Sequence, residues 1–136
     1  METKISEITA EQTHDLRHRV MWPDQPISFA ILPEDANGVH FGLWKNEVLI
    51  SIVSVFLNEK EAQFRKFATE TTEQGQGYGS QLLHNMIDYV KSKGVQLLWC
   101  NARSEKAYFY EKFGFKSTDE TYTKKGIDFV KMQMPL

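Results

Sequence analysis

The chain has 136 residues, 41% of them hydrophobic, and 16 Lys and Arg against 18 Asp and Glu give a formal charge of -2. Residues 1–136 suit one domain with its own core, and the composition excludes both intrinsic disorder and a membrane bundle. The near-balanced charge excludes a broad basic field for nucleic acid; the single cysteine, Cys100, and four scattered histidines exclude an internal disulfide and a structural zinc site.

In chain order, Lys4 to Ile8 alternates as a short edge strand, and Thr9 precedes a helical stretch with Leu16, Val20 and Met21 on one side. Pro23, Pro26 and Pro33 predict a loop or a pair of short helical turns over residues 22 to 38, because proline removes a donor and restricts its predecessor. Val39, Phe41 and Leu43 alternate with His40, Gly42 and Trp44 as a half-buried strand leading into a turn at Lys45-Asn46. Val48 to Leu57 is nearly continuous in apolar residues, as in a central strand covered on both faces. Ala62 to Thr69 is a further strand, whose phase slips between Phe64 and Phe67 and so predicts a bulge near Arg65-Lys66.

From Gly77 to Lys93, Leu82, Leu83, Met86, Ile87 and Val90 form one stripe of an amphipathic helix, which Gly94 is placed to cap. Val95 to Cys100 is then a buried strand, parallel to its predecessor because a helix joins the two. A second helix, Ser104 to Phe113, ends at Gly114, and Phe115 to Tyr122 with Ile127 to Met134 forms a closing hairpin. The predicted fold class is α/β (α+β): a mixed, mainly antiparallel sheet with one parallel strand-helix-strand crossover and flanking helices. Met1 to Gln12 lacks an apolar signal core and Val48 to Leu57 is too short to cross a bilayer as a helix. The expectation is therefore a cytoplasmic protein with no membrane partner.

The densest chemical signal is Gln74-Gly75-Gln76-Gly77-Tyr78-Gly79-Ser80, between a strand and the strongest helix. Three glycines let backbone approach a ligand and adopt left-handed angles, and free N–H groups at a helix start favour phosphate oxygens. A Gly-rich turn that merely starts the helix is the competing explanation. A Walker A loop is excluded because no lysine occurs between Lys66 and Lys91. A dinucleotide fingerprint lacks its third glycine at Ser80, and its ribose-binding acid is missing after Cys100-Asn101.

Gln74-x-x-Gly77-x-Gly79, the strand Phe64 to Thr69 before it, and Ala107-x-x-Tyr110-x-x-x-Gly114-Phe115 together resemble the GNAT superfamily of N-acetyltransferases, over roughly Gly38 to Met134. The resemblance implies transfer of an acetyl group from acetyl-coenzyme A to a primary amine of a small molecule or peptide; the sequence calls for no metal and leaves monomer or homodimer open, an edge of the last hairpin being free to pair between subunits. It places the coenzyme in an opening between the strands ending at Thr69 and Asn101. Backbone of Phe67, Ala68 and Thr69 would pair with pantetheine, and the N–H groups of Gln74, Gly75, Gln76, Gly77, Tyr78, Gly79 and Ser80 would hold the pyrophosphate. Ser104, where many members carry Asn, and Ala107 would flank the coenzyme, with Tyr110 beside the sulfur to protonate the leaving thiolate. A non-catalytic acyl-coenzyme A binding module is the alternative.

An alkylammonium titrates near 10.4, so the acceptor must lose a proton before attack. The position where some members carry a strand glutamate is Gln63; Glu70, Glu73, His40 and Asp128 remain as candidates, as does a water chain. Cys100 invites a covalent route but has no neighbouring histidine in sequence, so direct transfer is expected. Arg17, Arg19 and Trp22 either contact an acceptor from the loop side or pack and pair locally.

Overall fold

The computed structural model describes residues 2–136, so Met1, part of the N-terminal stretch read for a signal, lies outside it. Its backbone contacts gather into two compact units, residues 1–56 with 66–89 and residues 57–65 with 90–136. The strand Glu61–Thr69, β4, contributes to both.

The first unit orders its strands β1-β2-β3-β4. Strand β1 (Thr3–Ile8) pairs antiparallel with β2 (Val39–Lys45), from Thr3↔Lys45 to Ile8↔His40. Strand β3 (Val48–Asn58) pairs antiparallel with β2 across a two-residue turn, in which Asn46 and Glu47 take φ of 49° and 69°. Such paired positive φ values match the right-handed twist of the flanking strands. Residues Ile50 to Val55 of β3 are buried throughout, as the apolar run predicts for a strand covered on both faces.

Strand β2 departs from the half-buried expectation, because His40, Phe41, Gly42 and Leu43 are all buried. His40 contacts Ser54 Oγ at 2.7 Å and the Asp35 carbonyl at 3.0 Å, which satisfies a polar ring away from water. At Gly42 a Cβ would come within 2.5 Å of Leu49 Cδ1, so a side chain there would displace the end of Leu49.

Helix α1 (Ala10–Leu16) starts with a reciprocal cap: Gln12 N–H donates to Thr9 Oγ1 at 3.3 Å, and Thr9 N–H donates to Gln12 Oε1 at 2.8 Å. It passes into a π-helical turn, Arg17–Met21, which stops before Pro23. Leu16 then joins Ile8, Ile52 and Ala68 in a buried cluster, with Val20, Met21, Trp44 and Leu49 packed against it. Burial of each large apolar side chain there contributes about 1.5–3 kcal/mol. The proline-rich stretch forms two short 3-10 turns, Ile27–Ala30 and Pro33–Asn37. Arg17 is 0% exposed and ties them to the core. Its guanidinium donates to the Ala30 carbonyl at 2.7 Å, to Asp35 at 2.8 and 2.9 Å, and to Ser54 Oγ at 2.9 Å.

Strand β4 (Glu61–Thr69) carries Lys66 at φ 57°, a left-handed residue inside a strand at the place where the sequence phase slips. Helix α2 (Tyr78–Ser92) buries Leu82, Leu83, Met86, Ile87 and Val90, and Gly94 follows it at φ 79°.

The second unit orders its strands β4-β5-β7-β6. The parallel ladder of β4 with β5 runs from Glu61↔Leu97 to Gln63↔Trp99. Strand β5 is Leu97–Arg103, two residues later than predicted at its start, because Val95 N–H is taken by the Val90 carbonyl as the helix closes. Nor is it buried on both faces: Leu98, Cys100 and Ala102 are buried while Asn101 is exposed. Strand β7 (Ile127–Pro135) pairs antiparallel with β5 on one side and with β6 (Lys116–Lys124) on the other. The last strand is therefore interior, and the exposed edge of the hairpin is β6. The predicted helix over Ser104 to Phe113 is a 3-10 turn, Ser104–Lys106, followed by α3 (Ala107–Glu111). Phe115 N–H closes onto the Tyr110 carbonyl at 3.3 Å, with Gly114 at φ 105°.

Candidate functional site

Phe67, Ala68, Thr69 and Gln74 to Ser80 all fall in the first unit. Strand β4 is pinned at its end by Ser51 Oγ, 2.9 Å from Thr69 Oγ1 and 3.3 Å from the Ala68 carbonyl, and by Glu70 N–H donating to the Ile50 carbonyl at 2.7 Å. A 3-10 turn, Thr71–Glu73, then leads to Gln74, whose Nε2 reaches back to the Thr69 carbonyl at 2.9 Å. Gly75 and Gly77 take φ of 78° and 87°, and a Cβ built on either would meet no atom within 4 Å. Residues Gln74 to Gly77 are exposed. The loop thus presents open backbone on its outer side, in a conformation that L side chains rarely adopt.

Helix α2 begins directly after this loop, where Gln81 N–H bonds to the Gly77 carbonyl at 3.1 Å. N–H groups of a first helical turn have no acceptor within the helix and concentrate partial positive charge there. A diphosphate fits this donor set: anionic oxygens, open space, and main-chain N–H groups at a helix start.

Gly79 has another reason to be glycine. A Cβ there would stand 3.0 Å from Phe67 Cζ and 3.1 Å from Thr69 Oγ1, so it lets the start of α2 approach β4 closely. Its φ is not left-handed, unlike the expectation drawn for all three glycines. Tyr78 is buried and Ala68 joins the cluster around Leu16.

Lys45, unmarked as a site residue in the sequence, lies against the same loop. Its Nζ bonds to Glu73 at 2.8 and 2.9 Å and stands 5.5 Å from the centre of the Tyr78 ring. The Glu73 hydrogen bond holds the Lys45 ammonium above its ordinary range. Only its position at the end of a hairpin strand was visible beforehand, since its partner is 28 residues away.

Ser104, Ala107 and Tyr110 belong to the second unit, Ser104 opening the 3-10 turn and Ala107 opening α3. Tyr110 is half-buried among the rings of Phe109, Phe64 and Phe115, at centroid distances of 5.2, 5.7 and 6.1 Å. Desolvation pushes its phenol well up, the Cys100 thiol adds to the shift and Arg103 opposes it. Tyr110 therefore keeps its proton at any physiological pH. Cys100 is 2% exposed, and burial pushes its thiol up to about 12. A buried neutral thiol is a poor nucleophile.

The base candidates separate clearly. His40 is buried against Ser54 and the Asp35 backbone. Glu70 is bound by Arg19 at 3.0 and 3.1 Å, and Glu73 by Lys45. Arg17 and Arg19 pair locally, with Asp35 and with Asp15 and Glu70, while Trp22 is buried with its ring 5.3 Å from that of Phe29. Asp128 accepts from Thr123 Oγ1 at 2.7 Å and lines a cavity of about 290 Å³ together with Ser104, Thr121, Tyr122, Thr123 and Phe129. Among the described residues no group of three or more His, Cys, Asp or Glu could hold a metal ion, and no helix is long and apolar enough to cross a membrane.

Comparison with known proteins supports the same assignment. The model of the acetyltransferase (GNAT) domain matches residues 6–136. The uncharacterized N-acetyltransferase YitI of Bacillus subtilis (strain 168) is 34% identical over 133 residues, covering 91% of this chain and 89% of that protein. In fold, the chain is similar to an N-acetyltransferase from Lactobacillus plantarum, with TM-score 0.88, 19% identity and coverage of 100% of this chain and 99% of the other. It is also similar to a GNAT family acetyltransferase from Elizabethkingia anophelis solved with acetyl-CoA bound, with TM-score 0.78, 22% identity and 98% of each chain covered. With the family model spanning nearly the whole sequence and the mixed, mainly antiparallel sheet that its motifs predict, this chain belongs to the GNAT family and is an acetyltransferase.

Proposed function

We propose that the chain transfers an acetyl group from acetyl-coenzyme A to a primary amine by direct attack, with the loop Gln74 to Ser80 as the pyrophosphate cradle. The observation that carries this reading is the pair Gly75 and Gly77, left-handed and open on their outer side, immediately before the helix start. Acetyl-coenzyme A supplies an activated thioester, so the protein's part is to align amine and carbonyl. Main-chain groups of Phe67, Ala68 and Thr69 bind the pantetheine arm, and an N–H near Phe67 or Ala68 polarises the thioester carbonyl. Ser104 and Ala107 flank the coenzyme.

Tyr110 hydrogen-bonds the departing sulfur. A free thiol titrates near 8.5, well below this desolvated phenol, so complete transfer of the Tyr110 proton to sulfur is uphill and the residue acts as a donor that keeps its hydrogen. The protons balance without it. The acceptor enters as an ammonium and loses one proton to water before attack; its nitrogen loses a second as the amide forms, and that proton ends on the sulfur of coenzyme A. With the Cys100 thiol neutral, no acetyl-enzyme is required.

The test is a melting curve with and without acetyl-coenzyme A. At a hundredfold excess over Kd, a ligand bound only to the folded state adds about 2.7 kcal/mol, or roughly 9 °C for a chain of this length. Gly77→Asp places a side chain and a negative charge in the cradle, and should lose the shift measured from its own baseline. An unaltered protein whose melting does not respond to saturating acetyl-coenzyme A refutes the reading.

A further inference from the structure

The cavity of about 290 Å³ in the second unit is open to solvent, lined by exposed residues and the half-buried Phe129, and has a chemistry of its own. Four of its lining residues carry a hydroxyl, Ser104, Thr121, Tyr122 and Thr123, and Asp128 is the only charged one among the lining residues. Tyr122 and Phe129 stack at 5.0 Å with 10° between their planes. Thr123 Oγ1 donates to Asp128 Oδ1 at 2.7 Å, which orients the carboxylate, a group that accepts at both oxygens. Arg103, Lys124 and Lys125, each engaged in an interaction of its own, are close in the chain or the ladder, and the Arg65 charge acts on the Tyr122 phenol, so any further cation in the cavity depends on Asp128. A carboxylate, hydroxyl acceptors and aromatic surface together suit a cation.

We propose that this cavity holds the acceptor and that Asp128 anchors a second cationic group on it, so that the substrates are diamines and other dibasic amines. The proposal rests on the transferase reading above, and the cavity shares Ser104 with the residues assigned there to the coenzyme. Asp128 does not clamp the reacting nitrogen, because an adjacent carboxylate stabilises the ammonium form, whereas attack needs the free amine. A cation at the far end of the acceptor gains from the same carboxylate without that penalty. An amine bearing a carboxylate at that end would meet Asp128 with like charge.

The experiment measures coenzyme A release from acetyl-coenzyme A with cadaverine and with the amino acid of the same chain length. Cadaverine should be the better substrate. Asp128→Asn should raise KM for cadaverine roughly tenfold or more, the loss expected for a hydrogen bond to a charged group, while KM for acetyl-coenzyme A and the melting shift it induces stay unchanged. Thr123→Val, which frees the carboxylate to rotate, should raise the same KM by a smaller factor. No turnover of cadaverine, a preference for the amino acid, or an unchanged cadaverine KM in Asp128→Asn overturns the proposal even when the acetyl-coenzyme A shift is present. Absence of that shift in the unaltered protein overturns the transferase reading and this proposal with it.

Discussion

Asp35→Asn removes one charge from the buried pair that holds the proline-rich segment. Arg17 is 0% exposed and Asp35 8%, so neither charge is solvated by water. Both carboxylate oxygens are used: Oδ2 accepts from Arg17 Nη1 at 2.8 Å and from Leu32 N–H at 3.1 Å, and Oδ1 accepts from Arg17 Nη2 at 2.9 Å. In an asparagine one of these positions becomes an NH2, which then faces a donor, and the guanidinium loses its counter-charge. Breaking one side of a buried ion pair costs about 3–5 kcal/mol. With an unfolding entropy near 2.1 cal/mol/K per residue, that lowers Tm by roughly 10–17 °C.

Urea unfolding and melting at neutral pH check this directly. Burial by itself would raise the Asp35 carboxyl, but hydrogen bonds from Arg17 and Leu32 and the Arg17 charge outweigh it and hold the carboxyl below its ordinary value of 3.8. The pair therefore stabilises the fold at all pH values above that figure, and the contribution is lost as pH falls through the lower folded value. The gap between the unaltered protein and Asp35→Asn should be full at neutral pH and narrow only in strong acid. Replacing both partners, Arg17→Met with Asp35→Leu, should recover only part of the loss, since no lone charge remains but the Ala30 carbonyl and Leu32 N–H lose their partners. A single Asp35→Asn within about 1 kcal/mol of the unaltered protein contradicts the argument, because surface-like pairs alone have values that small.

Cys100→Ala should leave turnover unchanged, and mass spectrometry after incubation with acetyl-coenzyme A should find no acetyl group on the Cys100 peptide. With the thiol at about 12, roughly one molecule in a hundred thousand carries a thiolate at neutral pH. An acetylated Cys100 peptide, or an inactive Cys100→Ala with normal melting, points to covalent transfer instead. Tyr110→Phe should lower kcat about tenfold to a hundredfold, at the low end of acid–base effects because the phenol only hydrogen-bonds, and should keep the acetyl-coenzyme A melting shift. Since burial raises the Tyr110 phenol, its ionisation should put no alkaline limb on the rate below about pH 10. An unchanged kcat in Tyr110→Phe removes the residue from the mechanism.

Much of this molecule was legible from residue patterns. The stripe from Leu82 to Val90 specified α2, because a 3.6-residue period places those side chains on one face wherever the helix lies. The apolar run of β3, the glycine after α2 and the phase slip at Lys66 were equally local, each expressing the conformational preference or alternation of a few neighbours. The same holds for the loop before α2, where Gly75 and Gly77 take the left-handed angles that only glycine adopts freely.

Contacts between distant residues were decided by the tertiary structure alone. Gly79 is glycine because Phe67 and Thr69 stand against it, and Lys45 is held by Glu73. Arg17 became a buried structural charge through Asp35 and Ser54, 18 and 37 residues away, and not a surface cation near an acceptor. Asp128 lines one cavity with Ser104, which is 24 residues away in the chain. Helix period, strand alternation and glycine angles are properties of the chain over a few residues, so the sequence determined those elements by itself. Which charges meet, which face is covered and where a cavity remains depend on how the elements pack, a balance of many long-range contacts that no local pattern encodes.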